Sequence, residues 1–227
     1  MISLSVHDAS NLTEPVRRLF PMFISIDGGD GCGKSTQVLL LAEWLRSSGR
    51  DVFTCRDPGT TSLGEAVRSI LLHRDDLTIS RESEMLLFMA ARAQMVRELI
   101  RPALESGKIV VTDRFLLATI VYQGYAGGLS VEAVEQVGHV ATGGILPDLN
   151  FVLDIPLETA EQRLDKRVKD RMEQMGQDYH ERVRQGFLTH AKTDPRRYIV
   201  IDATQTIENV AAKIHNTVAE HFRLHKI

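Results

Sequence analysis

Short apolar runs recur along the chain, each closed by glycine, proline or aspartate and each followed by a stretch rich in helix formers. Met22-Phe-Ile-Ser-Ile-Asp27 halts at Gly28-Gly29, which predicts a buried strand ending in a turn. A helix is predicted from Lys34 to about Ser48, where Ser47-Ser48-Gly49 supplies the stop. Asp51 to Cys55 reads as a second strand, ended by Arg56-Asp57-Pro58-Gly59, and two helical stretches follow at roughly 62–73 and 81–105. Ile109 to Thr112 is a third strand with Asp113-Arg114 at its carboxyl end, Gln123 to Gly128 is a loop, and a helix begins near Val131. Asn150 to Asp154 and Tyr198 to Asp202 complete the set of strands. Alternation of strand and helix predicts an α/β fold: a five-stranded parallel sheet with helices on both faces and ligands outside the carboxyl ends of the strands.

Composition narrows this picture without changing it. The 227 residues suit one domain spanning 21–227, preceded by a short extension, 1–20, that lacks the apolar core of a signal peptide. No apolar run approaches the roughly 20 residues of a membrane helix, so a soluble protein with no membrane partner is expected. A net charge of −3 lacks the basic excess of a broad nucleic-acid surface, and any anion site must be local. Cys32 and Cys55 are too few for a disulfide scaffold or a four-thiolate zinc site; read as free thiols, they fit a cytoplasmic location.

Gly28-Gly29-Asp30-Gly31-Cys32-Gly33-Lys34-Ser35 fits the phosphate-loop pattern G-x-x-x-x-G-K-[ST], with a predicted strand before it and a helix after. Glycines let the backbone wrap a phosphate chain, so that N–H groups and the helix amino end point at the anion. Lys34 adds charge for the outer phosphates, Ser35 offers a hydroxyl to Mg²⁺, and Asp113 at the end of an apolar strand is placed to hold metal-bound water. Strands also end in aspartate merely to cap a following helix, an alternative that the pattern leaves open.

The loop binds a nucleoside triphosphate but does not say where the phosphoryl group goes. A GTPase needs Asn-Lys-x-Asp, and no asparagine here precedes a lysine. Remodelling ATPases carry further motifs that are missing. A small-molecule kinase needs an acceptor pocket and a basic lid, and Arg163-Leu-Asp-Lys-Arg167-Val-Lys-Asp-Arg171 carries five basic residues against two acidic. Arginines closing over a transferring phosphoryl group would stabilise its charge and exclude water. By itself such a run equally describes a solvated helix face.

From about Phe23 to Val210 the chain resembles thymidylate kinases, on Ile26-Asp27-Gly28 through Gln37, Arg56-Asp57-Pro58-Gly59-Thr60, Glu84 to Gln94, Asp113-Arg114-Phe115, Val121-Tyr122-Gln123-Gly124, Pro147-Asp148-Leu149, Leu153-Asp154-Ile155-Pro156, Asp170-Arg171-Met172-Glu173 and Ile201-Asp202-Ala203-Thr204. The resemblance implies transfer of the ATP γ-phosphoryl group to dTMP, with Mg²⁺, in a homodimer. It also implies residue roles. Gly28 to Gly33 with Lys34, Ser35 and Thr36 would hold ATP; Asp30 would accept from the sugar 3′-hydroxyl; Arg114 and Arg56 would hold the acceptor phosphate beside Pro58. Phe88 would stack on thymine, Arg92 would donate to a base carbonyl, and Tyr122, with Gln123 next to it, would lie beneath the sugar where a 2′-hydroxyl would collide. No arginine lies between Gly28 and Gly33, an arrangement in which Arg163, Arg167 and Arg171 of a mobile lid at about 163–176 supply the catalytic charge alongside Lys34 and Arg114. Phe88 and Arg92 also read, more plainly, as a core aromatic and a surface ion-pair partner.

Leu116 and Ala118 stand where the family often has Asp and Ser, so two polar contacts are expected to be missing and Thr119 is left to bond the pyrimidine edge. The alternatives are a kinase for another nucleoside monophosphate and a slowly hydrolysing nucleotide-binding regulator. Two cysteines exclude a zinc-knuckle lid.

Overall fold

The protein is described here by a computed structural model covering residues 21–74, 76–164 and 170–224. Five parallel strands, β1 (Met22–Gly28), β2 (Val52–Arg56), β3 (Ile109–Asp113), β4 (Leu149–Asp154) and β5 (Tyr198–Asp202), form one sheet in the order β2-β3-β1-β4-β5. Every boundary falls within one residue of the sequence expectation. The central strand β1 is buried along its whole length, and Ile24 pairs with Val111 on one side and Leu149 on the other. A strand covered on both faces has no polar face to show, which is why these segments read as continuous apolar runs.

Alternate residues of β1 serve the two faces. Met22, Ile24 and Ile26 pack with Val38, Leu41 and Leu45 of α1 (Lys34–Ser47) and with Ile214, Val218 and Phe222 of α9 (Ile207–Leu224). Phe23 faces the other way, toward Phe115, Met95 and Val134. That second face is covered by α2 (Ser62–His73), α3 (Arg81–Met95), α4 (Arg101–Glu105), α5 (Leu116–Thr119), α6 (Val131–Thr142) and α8 (Gln177–Ala191), while α7 (Leu157–Leu164) follows β4. β1 leads through α1 to β2 on one side, whereas β4 leads to β5 on the other, so the connections diverge above the carboxyl ends and leave a crevice there.

Two segments depart from expectation. The helix expected over 81–105 is interrupted by a π-helical turn, Val96–Ile100, just before Pro102. Proline has no N–H and its ring collides with the carbonyl four residues back, and the wider turn relieves both problems. Gln123 to Gly128, expected as a loop, is helical through Ala126, because Ile120–Ala126 forms a second π-helical segment. Its Tyr122 carbonyl accepts a 3.0 Å hydrogen bond from the Tyr179 hydroxyl on α8, so packing rather than local propensity sets its shape. Of the expected lid, α7 carries Arg163, and Asp170 Oδ1 accepts from the Met172 and Glu173 amides in a tight turn ahead of α8. Arg167 and the extension 1–20 lie outside the described residues.

Ile24, fully buried at the centre of β1, and Leu39, 62% exposed on α1, test this layering. Ile24→Ala is expected to cost about 2–5 kcal/mol in urea unfolding, and Leu39→Ala within about 0.5 kcal/mol.

Candidate active site

The crevice above the sheet is a cavity of about 460 Å³ with the phosphate loop as one wall. Three glycines of the loop, Gly28, Gly31 and Gly33, have positive φ. At Gly28 φ is +139° and a Cβ would stand 2.5 Å from the Leu153 carbonyl oxygen, so the loop leaves β1 pressed against β4; Gly33 (φ 95°) turns the chain into α1. Lys34 Nζ reaches back across the loop to the Gly29 carbonyl oxygen (2.7 Å) and lies 3.7 Å from Cys32 Sγ. The Cys32 side chain packs into the core beneath, and burial pushes its thiol pKa up. The Ser35 hydroxyl donates to Asp113 Oδ2 at 2.5 Å, which joins the start of α1 to the end of β3. A hydroxyl and a carboxylate are hard oxygen ligands of the kind Mg²⁺ takes together with waters and phosphates.

Opposite the loop, Arg114 occupies the left-handed backbone region (φ 67°), uncommon for a residue with a side chain. Its guanidinium donates to the Gly28 carbonyl oxygen (2.9 Å) and to Asp30 Oδ1 (2.5 Å), and sits 5.1 Å from the centre of the Tyr122 ring. The Tyr122 hydroxyl donates to the other oxygen of Asp30 at 3.0 Å. Burial drives the Asp30 carboxyl up, but the charges of Arg114 and Lys34 and the Tyr122 hydroxyl outweigh it and bring its pKa down to about 2. Burial raises the Tyr122 phenol well above its ordinary value, so it stays a neutral donor.

Glu84, Phe88 and Arg92 follow one another at intervals of four along α3 and share one face. Phe88 lines the cavity with Pro58, Arg56 and Thr119. Arg92 also lines it, but is only 1% exposed and its donors are engaged: Nε to Asp57 Oδ2 (2.5 Å), one terminal nitrogen to Thr119 Oγ1 (2.8 Å) and the Phe115 carbonyl oxygen, the other to Met89 Sδ. Thus the expected base reader is the centre of a buried network, and its partner is a buried carboxylate rather than a surface one. Burial raises the Asp57 carboxyl against the pull of Arg92, and Asp57 Oδ1 is buried with no partner among the described residues. Arg56 is half exposed and paired with Glu65 (3.0 Å).

Of the expected nucleotide-binding residues, Asp30, Gly31, Gly33, Lys34, Ser35 and Thr36 line the cavity; Gly28, Gly29 and Cys32 shape the loop from behind. Arg163 lines the cavity too, and donates to the Ala203 carbonyl oxygen at 3.2 Å. Arg171 does not line it. Its guanidinium is bound instead to Glu84 and to the Leu71 carbonyl oxygen, and Glu84 also accepts from Gln123 of the cavity wall (2.9 Å). Of the two departures from the family pattern, Ala118 lines the cavity, but Leu116 packs under Gly138 of α6, so only one of the missing polar contacts concerns the pocket. Asp57, Arg68 and Glu84 were not singled out from the sequence. Arg68 lines the cavity and donates to the Pro58 carbonyl oxygen (3.1 Å); its position one residue from Val67 and three from Leu71, on the buried stripe of α2, was the available signal. For Glu84 it was the four-residue ladder with Phe88 and Arg92.

Comparison with known proteins gives the family. The family profile described as Thymidylate kinase matches residues 26–214. The thymidylate kinase of Kosmotoga olearia is 46% identical over 204 residues, covering 89% of this chain and 96% of that protein, and that of Thermoanaerobacter pseudethanolicus is 45% identical over 199 residues, covering 88% and 98%. The crystal structure of thymidylate kinase from Ehrlichia chaffeensis superposes with a TM-score of 0.72 at 32% identity, covering 87% of this chain and 98% of that one. With the profile spanning most of the chain and the phosphate loop, Asp113-Arg114 and the α3 ladder all inside it, the chain belongs to the thymidylate kinase family.

Proposed function

We propose that the chain transfers the γ-phosphoryl group of ATP to dTMP, giving ADP and dTDP, by direct in-line displacement. The observation that carries this reading is that one cavity joins the phosphate loop, with its Ser35–Asp113 pair, to the Arg114–Asp30–Tyr122 cluster. Backbone N–H groups of Gly31 to Lys34 receive the triphosphate, and Lys34 supplies charge to its outer phosphates. Ser35 and Asp113 hold Mg²⁺, which when bound neutralises charge on the phosphate oxygens. Arg114, kept in place by Asp30, receives the acceptor phosphate, whose oxygen attacks the γ-phosphorus as ADP leaves. Asp30 accepts from the sugar 3′-hydroxyl, Tyr122 packs beneath the sugar, and Phe88 stacks on the base, whose edge meets Thr119 and the terminal nitrogen of Arg92 that otherwise has only the Met89 sulfur. Arg163 covers the transferring group from the lid side, and the Glu84–Arg171 contact ties the end of the lid to α3. Chemistry is then largely positioning and charge stabilisation.

We further propose a cytoplasmic enzyme, in keeping with two buried free thiols and with the finding that, among the described residues, no helix is long and apolar enough to cross a membrane. It acts without a nucleic-acid or membrane partner. The exposed Leu86 of α3 and Val140 of the adjacent α6 favour a homodimer, for which light scattering is expected to give twice the 25.4 kDa chain mass.

A coupled ADP-release assay over a panel of monophosphates tests the acceptor. dTMP and dUMP are expected to be used and UMP, AMP and GMP rejected; preference for a ribonucleotide or a purine overturns the reading. Tyr122→Ala is expected to lower the kcat/KM ratio of dTMP over UMP, because the ring no longer fills the space of a 2′-hydroxyl. Lys34→Ala is expected to lower kcat about 100-fold or more while leaving the thermal midpoint nearly unchanged, since its side chain packs on the loop rather than in the core.

The sign of the Asp30 shift sets a pH test. A carboxyl whose folded pKa lies near 2 binds its proton more weakly than in the unfolded chain, so its contribution to stability is complete above the ordinary carboxylate range and is lost as pH falls toward 2. The stability gap between wild type and Asp30→Asn is therefore expected to be constant from pH 6 to 8 and to shrink below about pH 4, as read by urea unfolding at each pH.

A further inference from the structure

Glu84 stands behind the active-site wall rather than in it, and its two carboxylate oxygens take two different partners. Oε2 accepts from the Arg171 guanidinium, whose Nε is itself fixed on the Leu71 carbonyl oxygen of α2 at 2.8 Å. Oε1 accepts from Nε2 of Gln123 at 2.9 Å. The Glu84 side chain is 12% exposed, so it is held from both sides and has little solvent to turn into. A side-chain amide has a donor end and an acceptor end, whereas a carboxylate only accepts. Gln123 must therefore give its nitrogen to Glu84, because the reverse orientation would set two acceptors against each other. Its oxygen is left over. That atom, Oε1, has no protein partner among the described residues and, unlike Asp57 Oδ1, is not sealed from solvent, and Gln123 lines the cavity.

Thr119, about one turn earlier on the same helical run, presents the opposite polarity. Its Oγ1 accepts from Arg92 at 2.8 Å, so toward the cavity it has a proton to donate. Phe88, one turn along α3 from Glu84, carries the base in the proposed reaction, and the base edge then meets a donor at Thr119 and an acceptor at Gln123. Pyrimidines differ in just these groups. Thymine and uracil carry a carbonyl at position 4 and an N–H at position 3, whereas cytosine carries an amino group and a bare ring nitrogen. Against the Gln123 oxygen the N3–H is satisfied, while a bare N3 places lone pair against lone pair and leaves both acceptors unpaired.

We propose that Glu84 is a positioning residue that sets base specificity: by holding the Gln123 amide with its oxygen toward the cavity it demands an N–H at position 3, which admits thymine and uracil and rejects cytosine. The proposal rests on dTMP being the acceptor. The test measures kcat/KM for dTMP and dCMP in the wild type, in Glu84→Gln, in Gln123→Leu and in the double variant, each checked for folding by circular dichroism. The wild type is expected to favour dTMP. A glutamine in place of Glu84 can donate as well as accept, so the Gln123 amide is free to turn, and the ratio of dTMP to dCMP is expected to fall at least about fivefold, with dCMP used no worse than by the wild type. Gln123→Leu is expected to lower the ratio similarly, and decides the matter if Glu84→Gln does not fold; adding Glu84→Gln to it is expected to change the ratio no further. Equal use of the two substrates by the wild type, equal losses on both in Glu84→Gln, an unchanged ratio in Gln123→Leu or a further fall in the double variant overturns the proposal and leaves dTMP as the acceptor. Absence of dTMP turnover in the wild type overturns the proposed function itself, and this proposal with it.

Discussion

An arginine and an aspartate with almost no solvent exposure hold the acceptor half of the active site together. The side chains of Arg92 and Asp57 are 1% and 0% exposed, and a charge taken that far from water is tolerated only when it is paired and hydrogen-bonded. The pairing draws α3 onto the loop after β2, and one terminal guanidinium nitrogen reaches the Phe115 carbonyl oxygen and Thr119, at the two ends of α5. Three segments far apart in sequence thus meet at one cation. Removing either charge alone would strand the other, at a cost of about 3–5 kcal/mol, so Arg92 has a structural duty beyond any contact with a base.

A second polar knot sits one layer lower. Asp27 at the end of β1 is fully buried and accepts from Ser25, from Asn150 on β4 and from the Phe115 amide. Desolvation raises its pKa, with those donors pulling the other way. Phe115 therefore has its amide tied to β1 and its carbonyl tied to Arg92, which leaves little freedom for Arg114 beside it. The left-handed backbone of Arg114 is held by neighbours on both sides, and its guanidinium is aimed at the phosphate loop before any substrate arrives. Strain of this kind persists only where the surroundings over-determine it.

The nucleotide half of the site was legible because its signal is contiguous: eight consecutive residues, a strand before them and a helix after them. Asp113 was legible from its place at the end of an apolar strand. The acceptor half came through in the resemblance, residue by residue, as identities without their mutual contacts. What stayed hidden depends on pairs distant in the chain. Asp57 meets Arg92 across 35 residues and Glu84 meets Arg171 across 87, and no local pattern announces either. The π-helical course of Ile120–Ala126 was hidden for the same reason, since the hydroxyl that meets the Tyr122 carbonyl lies 57 residues later, while Gln123 to Gly128 by itself has the composition of a loop. Arg171 shows that an identity does not bring its contacts with it: the motif gave its position, but its partners, Glu84 and the Leu71 carbonyl oxygen, lie 87 and 100 residues away.

The central position of β1 also governs the order in which the molecule can be made. The phosphate loop leaves the ribosome well before the strands that flank it, since β1 pairs with Ile109–Asp113 and Leu149–Leu153, roughly 90 and 125 residues further along. Until those segments have been synthesised, β1 is an unpaired apolar strand, and closing such long loops must precede any reward from contacts. Until Leu153 has been made, the nascent chain therefore carries a complete nucleotide-binding sequence without a nucleotide-binding site, and an exposed apolar strand of this kind is open to pairing elsewhere.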